Sequence, residues 1–186
     1  MRQPVEFSHH PDDCNPTLLD RPRPEPGTEG LVSSESLELW TATDVGLVRQ
    51  ENQDACFVCS YPDNPHAVVC TFAVADGVAG APSGRLAAHA AVARFRQALD
   101  PTAWQADWET ILSRAFEEAN RLLVLLGMTL PEARTMASTL TGGLILRTPE
   151  GLKLVLGHLG DSRAYWIEGR TATRSRIFLD GRRSVS

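Results

Sequence analysis

The chain has no long hydrophobic run. Its richest apolar stretch, LLVLLGMTL, is far too short to span a bilayer, and the opening MRQPVEFSHHPDD lacks the apolar centre of a secretory leader. An excess of positive charge is also missing. Lys and Arg total 18 against 23 Asp and Glu, a net charge of −5, which disfavours a nucleic-acid binder because such proteins usually present a basic patch. The expectation is a cytoplasmic protein with neither membrane nor nucleic acid as partner. Cysteine is sparse, with four residues at Cys14, Cys56, Cys59 and Cys70. Cys56 and Cys59 make one C-x-x-C, but no second follows to complete a thiolate metal site. In DACFVCS, read as a strand, residues three apart point to opposite faces, so these thiols are expected as small buried hydrophobes. A phosphate-binding loop ending in lysine is absent. GHLGDS has the glycines but neither the lysine nor a following helix, which removes the kinase and nucleotide-binding readings. A serine hydrolase built on Ser138 or Ser162 with His89 or His158 lacks its G-x-S-x-G elbow. There are no internal repeats.

What is present reads as one domain behind a tail. The 186 residues suffice for a single domain with a real core. Residues 1–36 are rich in proline and acid, with RPRPEP favouring extended backbone, and are expected to form a disordered tail. His9 and His10 in that tail are assigned no role. From Leu37 the pattern becomes regular. LELWTATDVG reads as a strand closed by a turn at Asp44–Gly46, and DACFVCS as a second strand. YPDNPH is turn chemistry leading into AVVCTFAVAD, a strand so apolar that both faces are expected to be buried. RLAAHAAVARFRQAL reads as a helix with Leu86, Ala90, Phe95 and Leu99 towards the core, stopped at Asp100–Pro101. DWETILSRAFEEANRLLVLLG reads as a longer helix burying Ile111, Ala115, Leu122 and Leu126 and ending at Gly127. ASTLTGGLILR and LKLVLGHLG form a hairpin through TPEG, and SRAYWIEG continues as a strand. One further short strand is offered by RIFL. Hairpins between successive strands predict an α+β fold of antiparallel sheet with helices packed outside. The four tryptophans, Trp40, Trp104, Trp108 and Trp166, are expected to be packing residues.

Three acids sit where such strands end or break: Asp54 in RQENQDACFV, Asp76 in FAVADG and Asp161 in GHLGDSRAY. A carboxylate ending a buried strand is unfavourable unless positive charge meets it. Hard divalent cations take carboxylate and carbonyl oxygens, so acids gathered at sheet ends suit Mg²⁺ or Mn²⁺. Gly77 after Asp76 would let a backbone carbonyl approach an ion closely, and Arg49 presents a fork that pairs with phosphate oxygens. The competing reading is turn chemistry, because Asp-Gly is common in turns.

Four segments narrow the choice. DVGLVRQENQDA resembles the opening G-x-x-R-x-x-N-E/Q-D-A motif of metal-dependent protein phosphatases of the PPM, or 2C-like, type. FAVADGVAGAPSGRLAA, MASTLTGGLI and GHLGDSRAYWI are similar to three further motifs of that family, in the family's order over residues 41–167. The resemblance implies a four-layer α-β-β-α sandwich of two mainly antiparallel sheets flanked by helices. It implies two Mn²⁺ or Mg²⁺ ions holding a water that attacks the phosphorus of phosphoserine or phosphothreonine in line, with no covalent enzyme intermediate. On this likeness Asp76 would bridge the two metals and Gly77 would lend its carbonyl to one. Asp54 would stand behind the ligands or bind through water, Arg49 would clamp the phosphate, and Asp161 would match the acid of a third, weaker metal. The implied partners are a phosphorylated protein substrate and a cognate serine/threonine kinase or its targets.

The likeness has departures. Val78 and Ala79 replace the usual Met-Gly or His-Gly, so a general acid at that position is absent; Ala81 stands where many bacterial members have His; Gln53 and Ala137–Ser138 are milder changes. The later S-D-G and D-N motifs do not follow Asp161, and Asp180–Gly181 reads as a simple turn. Residues 37–186 are therefore expected to be the N-terminal portion of such a domain, incomplete at its C-terminal end and weak or inactive in turnover. The alternative is a non-catalytic pseudophosphatase module that binds a phosphoprotein or another partner.

Overall fold

A computed structural model of the chain describes residues 30–34, 37–61, 64–78, 83–99, 107–149, 151–168 and 171–174. Strands β1 (Gly30–Ser34) and β2 (Leu37–Thr41) pair as an antiparallel ribbon lying against β3 (Asp54–Ser60). Strand β3 turns into β4 (Val68–Val78), two helices follow, α1 (Ser83–Ala98) and α2 (Trp108–Thr129), and a short 3₁₀ turn spans Pro131–Ala133. The chain then runs through β5 (Ala137–Ser138), β6 (Leu140–Thr148) and β7 (Gly151–Leu159), and ends its described part in a ribbon of β8 (Tyr165–Glu168) and β9 (Thr171–Arg174). Strands β3, β4, β6 and β7 lie side by side, all antiparallel, with β5 paired to the end of β4. The described residues thus form an α+β fold with one five-stranded antiparallel sheet and two helices.

The helices cover one face of that sheet. Alternation along β4 sends Ala73, Ala75 and Gly77 to the helix side, all buried, and leaves Val74, Asp76 and Val78 exposed on the other. Small residues on both surfaces, Ala73 and Ala75 below and Ala87, Ala88 and Ala91 above, let α1 lie close against β4. Larger side chains fill the space behind. Phe95 is fully buried and meets the Phe116 ring edge-on at a centroid distance of 4.8 Å. Asp107 starts α2: its Oδ1 accepts from the Thr110 amide at 2.9 Å and its Oδ2 from the Thr110 hydroxyl at 2.6 Å.

Several expectations change. Strand β1 begins at Gly30, inside the stretch read as a tail; residues 1–29 lie outside the described ones, as do RIFL and Asp180. The apolar strand β4 is buried on both faces only over Val68–Thr71, because no described element covers Val74 and Val78 beyond it. Helix α1 buries Ala87, Ala88, Ala91, Val92 and Phe95, while Leu86 is exposed: the alanine surface of β4 favours the helix's own alanine stripe over its leucine. In α2 the buried stripe stops at Ala119, and Leu122 and Leu126 are half-buried, since LLVLLG is apolar all round and only part of it can face the core. Gly127 does not end α2, which continues to Thr129. Its missing side chain instead leaves room for the Ala133 carbonyl, 3.3 Å from where a Cβ would stand. Cys56, Cys59 and Cys70 are thiols; Cys59 and Cys70 are buried, and burial lifts the Cys70 pKa to about 11. Trp108 packs half-buried against the core.

A candidate metal and phosphate site

The antiparallel register of β3 and β4 places Asp54 directly opposite Asp76. Both belong to the sheet face turned away from the helices, because their neighbours Ala55 and Ala75 take the helix side. Opposed carboxylates on one ladder rung repel. The Asp54 pKa is raised, first by burial, then by the charge of Asp76 and by a hydrogen bond between the two carboxyls. Beside the pair opens a cleft of about 470 Å³ whose lining includes Asp44, Arg49, Glu51, Asn52 and Val78 as well as the two acids.

The loop that brings Arg49 here is held at both ends. The Asn52 side-chain amide donates to Thr43 Oγ1 at 2.7 Å, and Asn52 Oδ1 accepts from the Asp54 amide at 3.0 Å. Gly46, at φ +72°, donates its amide to Asp44 Oδ1 at 2.6 Å and closes the expected turn. Between those anchors Arg49 is exposed on the cleft wall. Arg85 of α1 reaches Glu51 at 3.4 Å, a half-exposed pair of modest strength. The floor is tied down through Gly77, whose amide donates to the Gln53 carbonyl at 3.1 Å. Gly77 and Gly84 bring β4 and α1 into backbone contact: a Cβ on Gly77 would stand 2.0 Å from the Gly84 carbonyl oxygen. Any side chain there would push the helix off.

Asp161 is exposed on the bend after β7 and does not line the cleft. Among the described residues no set of three His, Cys, Asp or Glu side chains gathers into a metal site. The cleft therefore brings together Arg49, Asp54, Asp76 and Gly77, and Asp161 is not among its lining residues. His158 is buried on β7, and His89 is half-buried on α1, its pKa lowered by burial and by Arg85. Thr139 went unnoticed in the sequence and is buried against Asp76. Its signal lay in MASTL, where a polar residue precedes an apolar strand.

The protein phosphatase 2C family profile matches residues 48–179. The chain belongs to that family. Among solved structures it is similar to the Mycobacterium tuberculosis serine/threonine phosphatase PstP/Ppp, at 29% identity and a TM-score of 0.56, covering 73% of this chain and 52% of that one. The catalytic domain of PstP in complex with two manganese ions matches at 30% identity and a TM-score of 0.56, covering 71% and 51% respectively. A bacterial serine phosphatase at 24% identity, with a TM-score of 0.60, shares the fold. The chain thus spans about half the length of the first structures it matches. No curated protein matches it. No described helix is long and apolar enough to cross a membrane.

Proposed function

We propose that the chain carries part of a metal-dependent phosphatase site acting on phosphoserine and phosphothreonine in proteins. The observation that carries this reading is the directly opposed Asp54–Asp76 pair beside Arg49 on one cleft. The donor set fits Mg²⁺ or Mn²⁺: two carboxylates, with the Gly77 carbonyl next in sequence, are hard oxygens, and such ions keep several waters when few carboxylates hold them. A bound cation would also relieve the repulsion between the two acids. Once bound, the metal supplies Lewis acidity and lowers the pKa of water.

The chain's own residues do the rest. Asp76 and Asp54 would hold the cation, and Asp161 would match the acid of a third, weaker ion. Arg49 pairs through its guanidinium with two phosphoryl oxygens and fixes the phosphate in register with the acids. Asn52 keeps the Arg49 loop closed over the Asp54 end of β3. Hydrolysis breaks the ester P–O bond and releases inorganic phosphate and the free serine or threonine hydroxyl. The phosphorylated protein would come from a serine/threonine kinase. Residues 37–186 are, on this reading, the N-terminal portion of the four-layer sandwich. The sheet face that leaves Val74, Leu152 and Leu154 exposed is the one its second sheet would cover. A second reading, a non-catalytic phosphoprotein-binding module, is favoured because no three His, Cys, Asp or Glu side chains among the described residues gather into a metal site.

The deciding experiment is hydrolysis of p-nitrophenyl phosphate and a phosphothreonine peptide by the full chain with Mn²⁺, alongside Asp76→Ala and a chelator. Turnover abolished by both controls supports the enzyme. No turnover from folded protein, with phosphopeptide binding lost in Arg49→Ala, supports the binding module. Neither turnover nor binding refutes both.

A further inference from the structure

The sheet ladder changes its hydrogen bonding at the residue that faces Asp76. Gly77 pairs with Ser138 and Val74 with Thr141, so Thr139 stands opposite Asp76 between β5 and β6. In a regular antiparallel rung each residue's amide would donate to the other's carbonyl. Half of that exchange is present, since the Thr139 amide donates to the Asp76 carbonyl at 2.9 Å. The other half is replaced: the Asp76 amide donates to the Thr139 hydroxyl Oγ1 at 3.0 Å. The Thr139 carbonyl, released from the rung, accepts from the Ser138 hydroxyl at 2.7 Å.

A hydroxyl can do what a carbonyl cannot, which is to accept one hydrogen bond and donate another. Thr139 Oγ1 lies 2.7 Å from Ser162 Oγ, in the bend that carries Asp161. The methyl group of the same side chain seats the residue on the other side of that acid. A Cβ on Gly160 would fall 2.8 Å from Thr139 Cγ2, and Gly160 adopts φ +96°, which a side chain tolerates poorly. Thr139 therefore touches both neighbours of Asp161 while holding the backbone of Asp76. At 3% exposure it is shielded from water that would compete for these bonds.

We infer that Thr139 is a positioning residue that clamps the Asp76 strand and the Asp161 bend together, so that the two acids keep one fixed relation although only one lines the cleft. What the clamp serves rests on the proposed metal site; whether it exists does not. Its loss would free the bend and leave the Asp76 amide without its partner.

The test uses metal-free full chain and three variants, read by NMR. Thr139→Val keeps the shape and removes the hydroxyl, Thr139→Ser keeps the hydroxyl, and Ser162→Ala cuts the link without touching Asp76. Thr139→Val is expected to speed exchange of the Asp76 amide by about tenfold, the scale of one lost hydrogen bond. It should also lower the backbone order parameters of Gly160 and Asp161 from about 0.85 towards about 0.6. Ser162→Ala should reproduce the loosening of the bend and speed Asp76 exchange by a smaller factor, and Thr139→Ser should keep Asp76 exchange near wild type. Wild-type Asp76 exchange in Ser162→Ala would overturn the clamp, even if Thr139→Val fails to fold. So would a Thr139→Ser variant as fast as Thr139→Val, since the hydroxyl would then be irrelevant. A separate Mn²⁺ titration of the wild-type chain tests the metal reading alone: absence of binding refutes that reading and leaves the exchange results to decide the clamp.

Discussion

Gly77→Ala probes the contact on which the site is built. The new Cβ would stand 2.0 Å from the Gly84 carbonyl oxygen and 2.4 Å from its carbon. Real Cβ contacts essentially never fall under 3.0 Å, so the overlap is ~1 Å in an interior packed too densely to absorb it. Both partners are backbone, and no rotamer change relieves the clash. Either the first turn of α1 lifts from β4 or the end of β4 bends. The loss is expected near the top of the overpacking range, about 3 kcal/mol. For a chain of this size that corresponds to a fall in Tm of about 6–12 °C. The same shift displaces the Gly77 carbonyl and the Asp76 backbone, so Mn²⁺ affinity should fall by at least about tenfold, or about 1.4 kcal/mol. Thermal melting by circular dichroism with and without Mn²⁺ measures both effects. Gly84→Ala is the matched control. Its Cβ would meet the flexible end of Gln53 at 3.0 Å and the Gly77 carbonyl at 3.1 Å, and the gain from placing Ala in a helix offsets about 1 kcal/mol of the strain. A Gly77→Ala variant melting within about 2 °C of wild type would refute the argument, because a backbone clash of that size cannot be thermally silent.

Three further outcomes follow from the same physics. Asp54→Asn should stabilise the metal-free chain at neutral pH: a carboxyl whose folded pKa is raised loses its contribution as pH rises through that value. Melting in chelator checks the sign, and the Mn²⁺-induced gain in Tm should shrink. His89 has a lowered pKa, so its unfolded form protonates first as pH drops below 6.5 and stability is lost on the acid side. His89→Gln should flatten that part of the stability profile, measured by urea denaturation across the window, and an unchanged slope would exclude the assignment. Phe95→Ala empties the space between Phe57 and Phe116 and should cost about 3–5 kcal/mol by equilibrium denaturation.

Asp-Gly at the end of TFAVADGV already marks where a strand meets a site, but the apolar run gives no sign that only one face of β4 is covered beyond Thr71. The motif order over residues 41–167 was enough to name the family and to select Arg49, Asp54, Asp76, Gly77 and Asp161 as a group. These features are local, carried by period and by neighbours along the chain. Helix faces were harder to read. In α1 both the leucine and the alanine stripes are apolar, and the choice between them depends on the alanine surface of β4, which is set by residues far away in the sequence. Gly127 looked like a helix stop for the same reason; its role depends on Ala133 folding back against it.

The residue chemistry and its order along the chain were thus determined by the sequence alone: hard oxygen donors, a guanidinium, and small residues beside them. Only the tertiary structure decided which acids meet. The β3–β4 register sets Asp54 against Asp76, the bend after β7 holds Asp161 outside the cleft, and Thr139 joins the two regions from 63 residues beyond Asp76. The physical reason is that strand register and side-chain hydrogen bonds are choices among partners distant in sequence. Their energies depend on geometry that exists only once the sheet has formed.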